Sequence, residues 1–262
     1  MFDLSVKNIS GDVLRLTRNN NYAITGVSGL TPVAANINTS TAGINDGVVY
    51  NSARLGYRNI VITLCFARNV ETSRIKLYDY FQTKQFCRLY FSNGSRDVYI
   101  DGYVETFECD LFTMTETAQI SIICPKPYFK SVTETVNSGT IETAETTVTI
   151  PNNGDVPVGM DIELNFSGSV SAPVIRNTVT GEYFQLNRDF VSGDKVTVNT
   201  RSGEKSVILA HSGVDFNIIN ALDPGTSWLQ LQRGNNTLLL GANSGATALS
   251  VTFKHYDLFA GV

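Results

Sequence analysis

Histidine is scarce in this 262-residue chain: only His211 and His255 occur, and neither has a Ser or Cys motif such as G-x-S-x-G beside it. That removes the hydrolase triads from consideration. Cysteine is nearly as rare. Cys65, Cys87, Cys109 and Cys124 all lie in the first half, each within an apolar or alternating pattern, with no C-x-x-C pair and no His cluster nearby. They read as reduced core residues, not as a disulfide framework or a metal site. No window reaches the roughly 18 apolar residues that a membrane-spanning helix needs. The segment from Met1 to Ser10 has neither a basic n-region nor an apolar stretch, so no cleaved secretion signal is expected. No glycine-containing turn is followed by the Lys-Ser/Thr pair and helix of a phosphate-cradling loop. Charge of one sign is missing too: 20 Lys and Arg stand against 24 Asp and Glu, for a net −4. A balance of that kind argues against a specific nucleic-acid binder. No residue pattern calls for a cofactor.

What is present is enough apolar material for two ordinary cores, with 42% hydrophobic residues and only 17% charged. The run from Gln119 to Phe129 marks a seam between them. Ala118, Ile120, Ile122 and Cys124 fall at period two, as in a half-buried strand, while Pro125 and Pro127 cannot donate to a ladder. A Ser/Thr/Glu-rich stretch follows, from Ser131 to Thr149. The expected division is therefore 1–130 and 131–262, with Pro125, Pro127, Tyr128 and Phe129 as the domain junction.

In the first half, strands are expected around Leu4 to Ile9, Val13 to Leu16, Tyr22 to Val27, Arg58 to Phe66, Phe86 to Phe91, Val98 to Ile100, Tyr103 to Phe112 and Ala118 to Cys124. Asn93-Gly94 signals a hairpin in which both central residues take positive φ. One helix is expected over about 71–84, with Leu77, Tyr78 and Phe81 on one face and Asn69 or Thr72 as its cap. The passage 29–46 is Gly/Thr/Asn/Ala-rich, lacks periodicity, and is too long for an ordinary connection, so it reads as an arm. Arg54, Arg58 and Arg68 read as solvated strand edges or interface contacts.

The second half carries short apolar runs separated by turn residues, with no helical period, as in a sandwich or jelly roll. Its carboxylates Asp161 and Glu163 share a strand face, and Glu105 has acidic neighbours in the first half; solvent-facing alternation explains all three without catalysis. Trp228 opens an apolar run ending at Gly234-Asn235. It suits a core anchor, with a sugar-stacking platform, joined by Arg233, as the other reading.

Taken in order, several stretches resemble the distal tail proteins of long-tailed bacteriophages, over nearly the whole chain. They are Tyr22 to Pro32, Asp46-Gly47, Arg54-x-Gly56-x-Arg58 through Ile62, Tyr78-x-Tyr80-Phe81, Tyr99 to Glu105 and the Cys124 to Phe129 seam. Asn153 to Pro157, Trp228 to Asn235 and Tyr256 to Val262 are similar but less specific. The resemblance implies a mainly β chain. Its N-terminal domain would be a β-sandwich or split-barrel-like unit with one α-helix that closes into a homo-hexameric ring, and its C-terminal domain a galectin-like (jelly-roll) β-sandwich outside the ring.

The family's role is that of a non-enzymatic tail-tip hub. It joins the tail tube protein to the tail-associated tip protein and supports receptor-binding proteins. Such a hub sits at the virion tail tip, is assembled in the host cytoplasm, does not insert into membranes, and lets DNA pass through its lumen. A ring of six such chains would carry about −24 (six times −4), so passing DNA meets little attraction. Within that reading, Ala35, Asn36, Ile37, Arg54 and Arg58 are the candidate subunit-interface residues. The second domain lacks the H-x-N-x-R and W-G-x-E-x-R pattern of galectin sugar sites, so shape does not imply that activity. The competing function is a carbohydrate-binding module for adsorption to the host cell wall.

Overall fold

The computed structural model of the protein describes residues 2–41, 43, 46–110, 113 and 115–262. They form two compact units: Met1–Val132 together with Phe259–Val262, and Thr133–Leu258. The break falls two residues beyond the expected one, and the last four residues belong to the first unit instead of the second. None of the helices among the described residues is long and apolar enough to cross a membrane.

The first unit contains β1 (Asp3–Lys7), β2 (Val13–Arg15), β3 (Tyr22–Ser28), β4 (Ala35–Ser40), β5 (Val49–Leu55) and β6 (Arg58–Phe66). After α1 (Val70–Tyr78) come β7 (Phe86–Ser92), β8 (Asp97–Cys109), β9 (Thr117–Cys124) and β10 (Phe129–Ser131). An antiparallel sheet runs in the order β2-β1-β7-β8-β9-β6-β3. The alternation seen in sequence becomes one buried face: Ile60, Ile62 and Leu64 of β6 meet Ile120 and Ile122 of β9, Leu89 and Phe91 of β7, and Val98, Ile100 and Val104 of β8.

The prolines of the seam interrupt a strand without ending the unit. β9 pairs with the distal part of β8, from Tyr103 to Cys109. Pro125 and Pro127 then break the ladder, and β10 rejoins the same β8 at Val98 and Tyr99. Phe129 thereby drops into the core at 0% exposure.

The helix is shorter than periodicity suggests. Asn69 precedes it with left-handed φ and ψ and makes no side-chain cap bond. Leu77 and Phe81 are buried as expected, whereas Ile75 and Tyr78 are exposed. The N–H groups of Asp79, Tyr80 and Phe81 still donate back to Lys76 and Leu77, but by Lys84 the β8 ladder has taken the backbone: Lys84 N–H donates to Val104 O, and Val104 N–H donates to Gln85 O. At the β7–β8 turn only Gly94 takes a positive φ. Asn93 instead accepts from the backbone N–H groups of Ser95 and Arg96 through its side chain, an Asx-type closure that replaces the two-residue turn. Phe112, at the end of the expected Tyr103 to Phe112 strand, lies outside the described residues, as do Ala42, Ile44 and Asn45 of the 29–46 passage.

The second unit is a two-sheet sandwich. Its strands are β11 (Thr135–Thr140), β12 (Glu145–Asn152), β13 (Asp161–Phe166), β14 (Val170–Asn177), β15 (Tyr183–Gln185) and β16 (Asp189–Phe190). β17 (Lys195–Asn199), β18 (Ser206–His211), β19 (Val214–Asn217), β20 (Gly234–Ser244) and β21 (Leu249–His255) complete it. One sheet has the order β11-β21-β13-β17-β18-β19 and the other β12-β20-β14-β15, with β16 against β14. Inward residues from both fill a single core, among them Ile162, Leu164, Val196, Phe253, Ile150, Ile175 and Leu238. Trp228 to Leu231 is not a strand; Leu229 and Leu231 are buried and Leu231 bridges to Val158.

Candidate assembly interface

The 29–46 passage is half of a β-hairpin. Among the described residues β4 pairs only with β5, in a separate two-stranded sheet with Ala35 opposite Leu55 and Asn36 opposite Arg54. Every residue of both strands is exposed. Ile37 is 62% exposed, Tyr50 63% and Val49 49%, although such residue types favour burial. A two-stranded ribbon with no hydrophobic face of its own is marginal in water, so this one needs another surface. The structure thus puts Ala35, Asn36, Ile37 and Arg54 on one projecting element.

Arg58 is drawn away from that set. It begins β6 and is 2% exposed, which corrects its expected place as a solvated or interface arginine. Its guanidinium donates from Nε to Pro127 O at 2.7 Å, from Nη1 to Thr31 O at 2.7 Å and also to Gly29 O, and from Nη2 to Ala260 O at 2.6 Å. Its Cζ sits 4.5 Å from the centroid of the Phe129 ring. A rigid five-donor fork satisfies carbonyls on separate segments where a lysine cannot. The group therefore ties together the hairpin root, the seam and the chain's last residues, all within the first unit.

Gly29 fits the same root. Its φ is +82°, and a Cβ there would stand 2.0 Å from Asn59 O, so any side chain would push the root off β6. Arg96 secures the tail by donating to Gly261 O, its Cζ 4.5 Å from the Phe259 centroid, and Val262 N–H donates to Leu30 O. Apart from the family resemblance of Tyr256 to Val262, the sequence carries no signal for this tail.

The other candidates occupy structural roles. Asp161 is bridged to Arg201 at 2.5 Å, and Glu163 to Lys254 at 2.6 Å and Lys195 at 3.0 Å. Those lysines hold the Glu163 carboxyl below its ordinary pKa, Lys254 chiefly. Glu105 accepts from Ser121 Oγ. Burial pushes the Cys87 and Cys124 thiols up to about 12, which keeps them protonated and poor nucleophiles. Among the described residues no group of three or more His, Cys, Asp and Glu is placed to hold a metal ion.

Trp228 is half-buried beside Phe184, and Lys205 Nζ lies over its ring, 5.3 Å from the centroid. Arg233 is exposed.

The histidines are also apart. His211 Nδ1 lies 2.5 Å from the buried Asp194 carboxylate. His255 is fully buried, and its Nε2 is 3.3 Å from Asp257 Oδ1. Burial lowers its pKa from the ordinary 6.5, against the opposing pull of Asp257. Below about pH 6.5 the unfolded chain takes up a proton that the folded chain refuses, so stability falls with pH in that window. Urea midpoints measured downward from about pH 7.5 are expected to decline below 6.5, and His255→Phe to flatten that arm; an unchanged slope would disprove the assignment.

Asp161 and Glu163 are thus held in ion pairs, and every residue of the β4–β5 hairpin strands is exposed. Residues 153–256 match the protein-family model described as siphovirus-type tail component, C-terminal domain. That span lies within the second unit, Thr133–Leu258. The crystal structure of the SPP1 Dit (gp 19.1) protein, described as a hub adsorption apparatus in Gram-positive infecting phages, superposes with a TM-score of 0.69. That match has 18% identity and covers 98% of this chain and 99% of that one, establishing the shared fold. A chain in the phage P2 baseplate structure, in its activated conformation with Ca, is similar at 12% identity and a TM-score of 0.47, covering 97% of this chain and 98% of that one. No curated protein sequence matches significantly. The mainly β fold class read from sequence is borne out, and the family resemblance is matched over residues 153–256.

Proposed function

We propose that this protein closes into a homo-hexameric ring that joins the tail tube to the tail-tip protein, with its second unit supporting host-attachment proteins. The task is multivalent fit, not chemistry. The observation that carries the reading is the β4–β5 hairpin: thirteen exposed residues in a two-stranded sheet, apolar at Ile37, Val49 and Tyr50, with no core beneath them. A neighbouring copy would supply the missing face. Arg58 and Gly29 fix the angle at which the hairpin leaves, which a ring of defined size requires. The chain leaves the ring-forming unit after Val132, just past the seam from Pro125 to Phe129.

Native mass spectrometry tests this directly. Wild-type protein is expected as a six-copy assembly, and a chain lacking Ala35 to Gly43 as a monomer with unchanged β content by circular dichroism. A deletion variant that keeps the six-copy mass would end the hairpin's role in the ring.

A further inference from the structure

The first unit carries an open apolar slot of about 180 Å³ beside β1 and β3. Leu4 and Phe91, each 2% exposed, form its floor; Ile24, Val27 and Leu30 wall it, and Phe2 stands at its lip, 47% exposed. The polar lining residue, Thr17, has its hydroxyl engaged: it accepts from Leu4 N–H at 3.0 Å and donates to Asp3. Water in such a slot finds few polar partners, so an apolar group that displaces it is favoured. A cavity of about 150 Å³ lined by Leu, Ile and Phe takes up benzene, so the volume here suits one six-membered ring. The wall is fixed in advance. Leu30 lies between Gly29 and Thr31, whose carbonyls both accept from Arg58, and its own carbonyl accepts from Val262 N–H. Little further ordering is needed for it to receive a side chain.

The chain also displays a matching knob. Tyr50, on β5, is 63% exposed and is the hairpin's only aromatic residue. The register of β4 and β5 shifts between Asn38 and Thr39, which sets Tyr50 opposite Thr39, on the side that also carries Ile37. Its ring supplies an apolar body for a slot of this size, and its hydroxyl stays toward water at the open lip. At that exposure Tyr50 is not seated in the slot of its own copy.

We propose that Tyr50 of one copy seats its ring in the slot beside β1 and β3 of the next. This deepens the ring reading and rests on it. A head-to-tail ring needs two different, complementary patches on each copy, and an apolar knob with an apolar hole is such a pair. Arg58 ties the hairpin's root and the slot's Leu30 wall into one network, so each copy presents the two patches in a fixed relation.

Variants of knob and hole test it, read by native mass spectrometry and sedimentation velocity. Tyr50→Ala is expected to weaken subunit association by about tenfold or more, as truncating a well-packed aromatic anchor does, whereas Tyr50→Phe keeps the ring and assembles like wild type. From the other side, Val27→Trp fills the slot and Phe2→Ala removes its lip, and each weakens association although the knob is intact. Tyr50→Ala combined with Phe2→Ala loses little more than the worse single variant, because both remove one contact. Circular dichroism keeps folding separate from assembly, and the arm at the exposed Phe2 stands even if Val27→Trp fails to fold. Knob or slot variants that assemble like wild type, fully additive losses, or a Tyr50→Phe protein that fails to assemble overturn the seating of Tyr50 and leave the ring itself intact. A wild-type protein that never forms rings overturns both. Slot variants that form normal rings but no longer bind the tail tube protein give the slot a different occupant and also count against a second copy.

Discussion

Replacing Arg58 with Met is expected to destabilise the first unit by about 3–5 kcal/mol, the range for removing one partner from a buried charged network. Methionine keeps the stem's bulk but supplies no donor, so the carbonyls of Gly29, Thr31, Pro127 and Ala260 lose their shared partner. Each buried acceptor left unpaired costs about 1–3 kcal/mol, and the losses do not add fully, because the hairpin root and tail can shift to admit water. That relaxation is measurable by hydrogen exchange, with protection falling in peptides spanning residues 29–32 and 259–262. The melting transition of the first unit should move down by roughly 10 °C or more. Arg58→Lys should rescue little, since a three-donor point charge cannot span carbonyls that the planar fork reaches. An Arg58→Met protein with wild-type melting and protection would show that the node is ornamental.

Phe129→Ala is expected to cost a similar amount, about 3–5 kcal/mol, as a fully buried aromatic truncated in a packed core. Phe129 is 0% exposed, its ring centroid is 5.6 Å from that of Phe91 in edge contact, and the Arg58 guanidinium lies against it. The neighbouring Tyr128 makes the internal control. It is half-buried and lines a surface groove, so Tyr128→Ala should cost under about 1 kcal/mol. Because Phe129 and Arg58 touch, their effects are not additive, and a double-mutant cycle should give a coupling of about 0.5–2 kcal/mol. Equal losses at Tyr128 and Phe129, read from chemical denaturation, would place the junction's anchor elsewhere.

Much of the fold was legible because burial in a sheet imposes a period of two. Ile60, Ile62 and Leu64, or Ile120 and Ile122, announce their faces through residue type alone, since each must leave water for one side of a pleat. Helix length was less legible. Leu77 and Phe81 keep the helical spacing, but the competing claim of Val104 on the backbone at Lys84 and Gln85 comes from a strand some 20 residues away. The hairpin was legible only as an anomaly: β4 and β5 lack an inward face within the chain, so no alternation marks them as strands. The outward side of the β7–β8 pair also has a sequence signal: Phe86, Tyr90 and Tyr103 fall on the polar phase of their strands, where a merely solvated face would carry smaller or charged residues.

Alternation, proline placement and scarcity of reactive residues were enough to establish two β-rich units and to direct attention away from catalysis, because those signals are local. Arg58 shows what lay beyond them. As one polar residue at a strand start it is indistinguishable from Arg54, yet its hydrogen-bond partners Thr31, Pro127 and Ala260 stand 27, 69 and 202 positions away. Only when the fold brings those carbonyls into one buried pocket does a surface-seeming arginine become its central tie. No periodicity records such a meeting, because the desolvation that makes it necessary exists only in the folded chain.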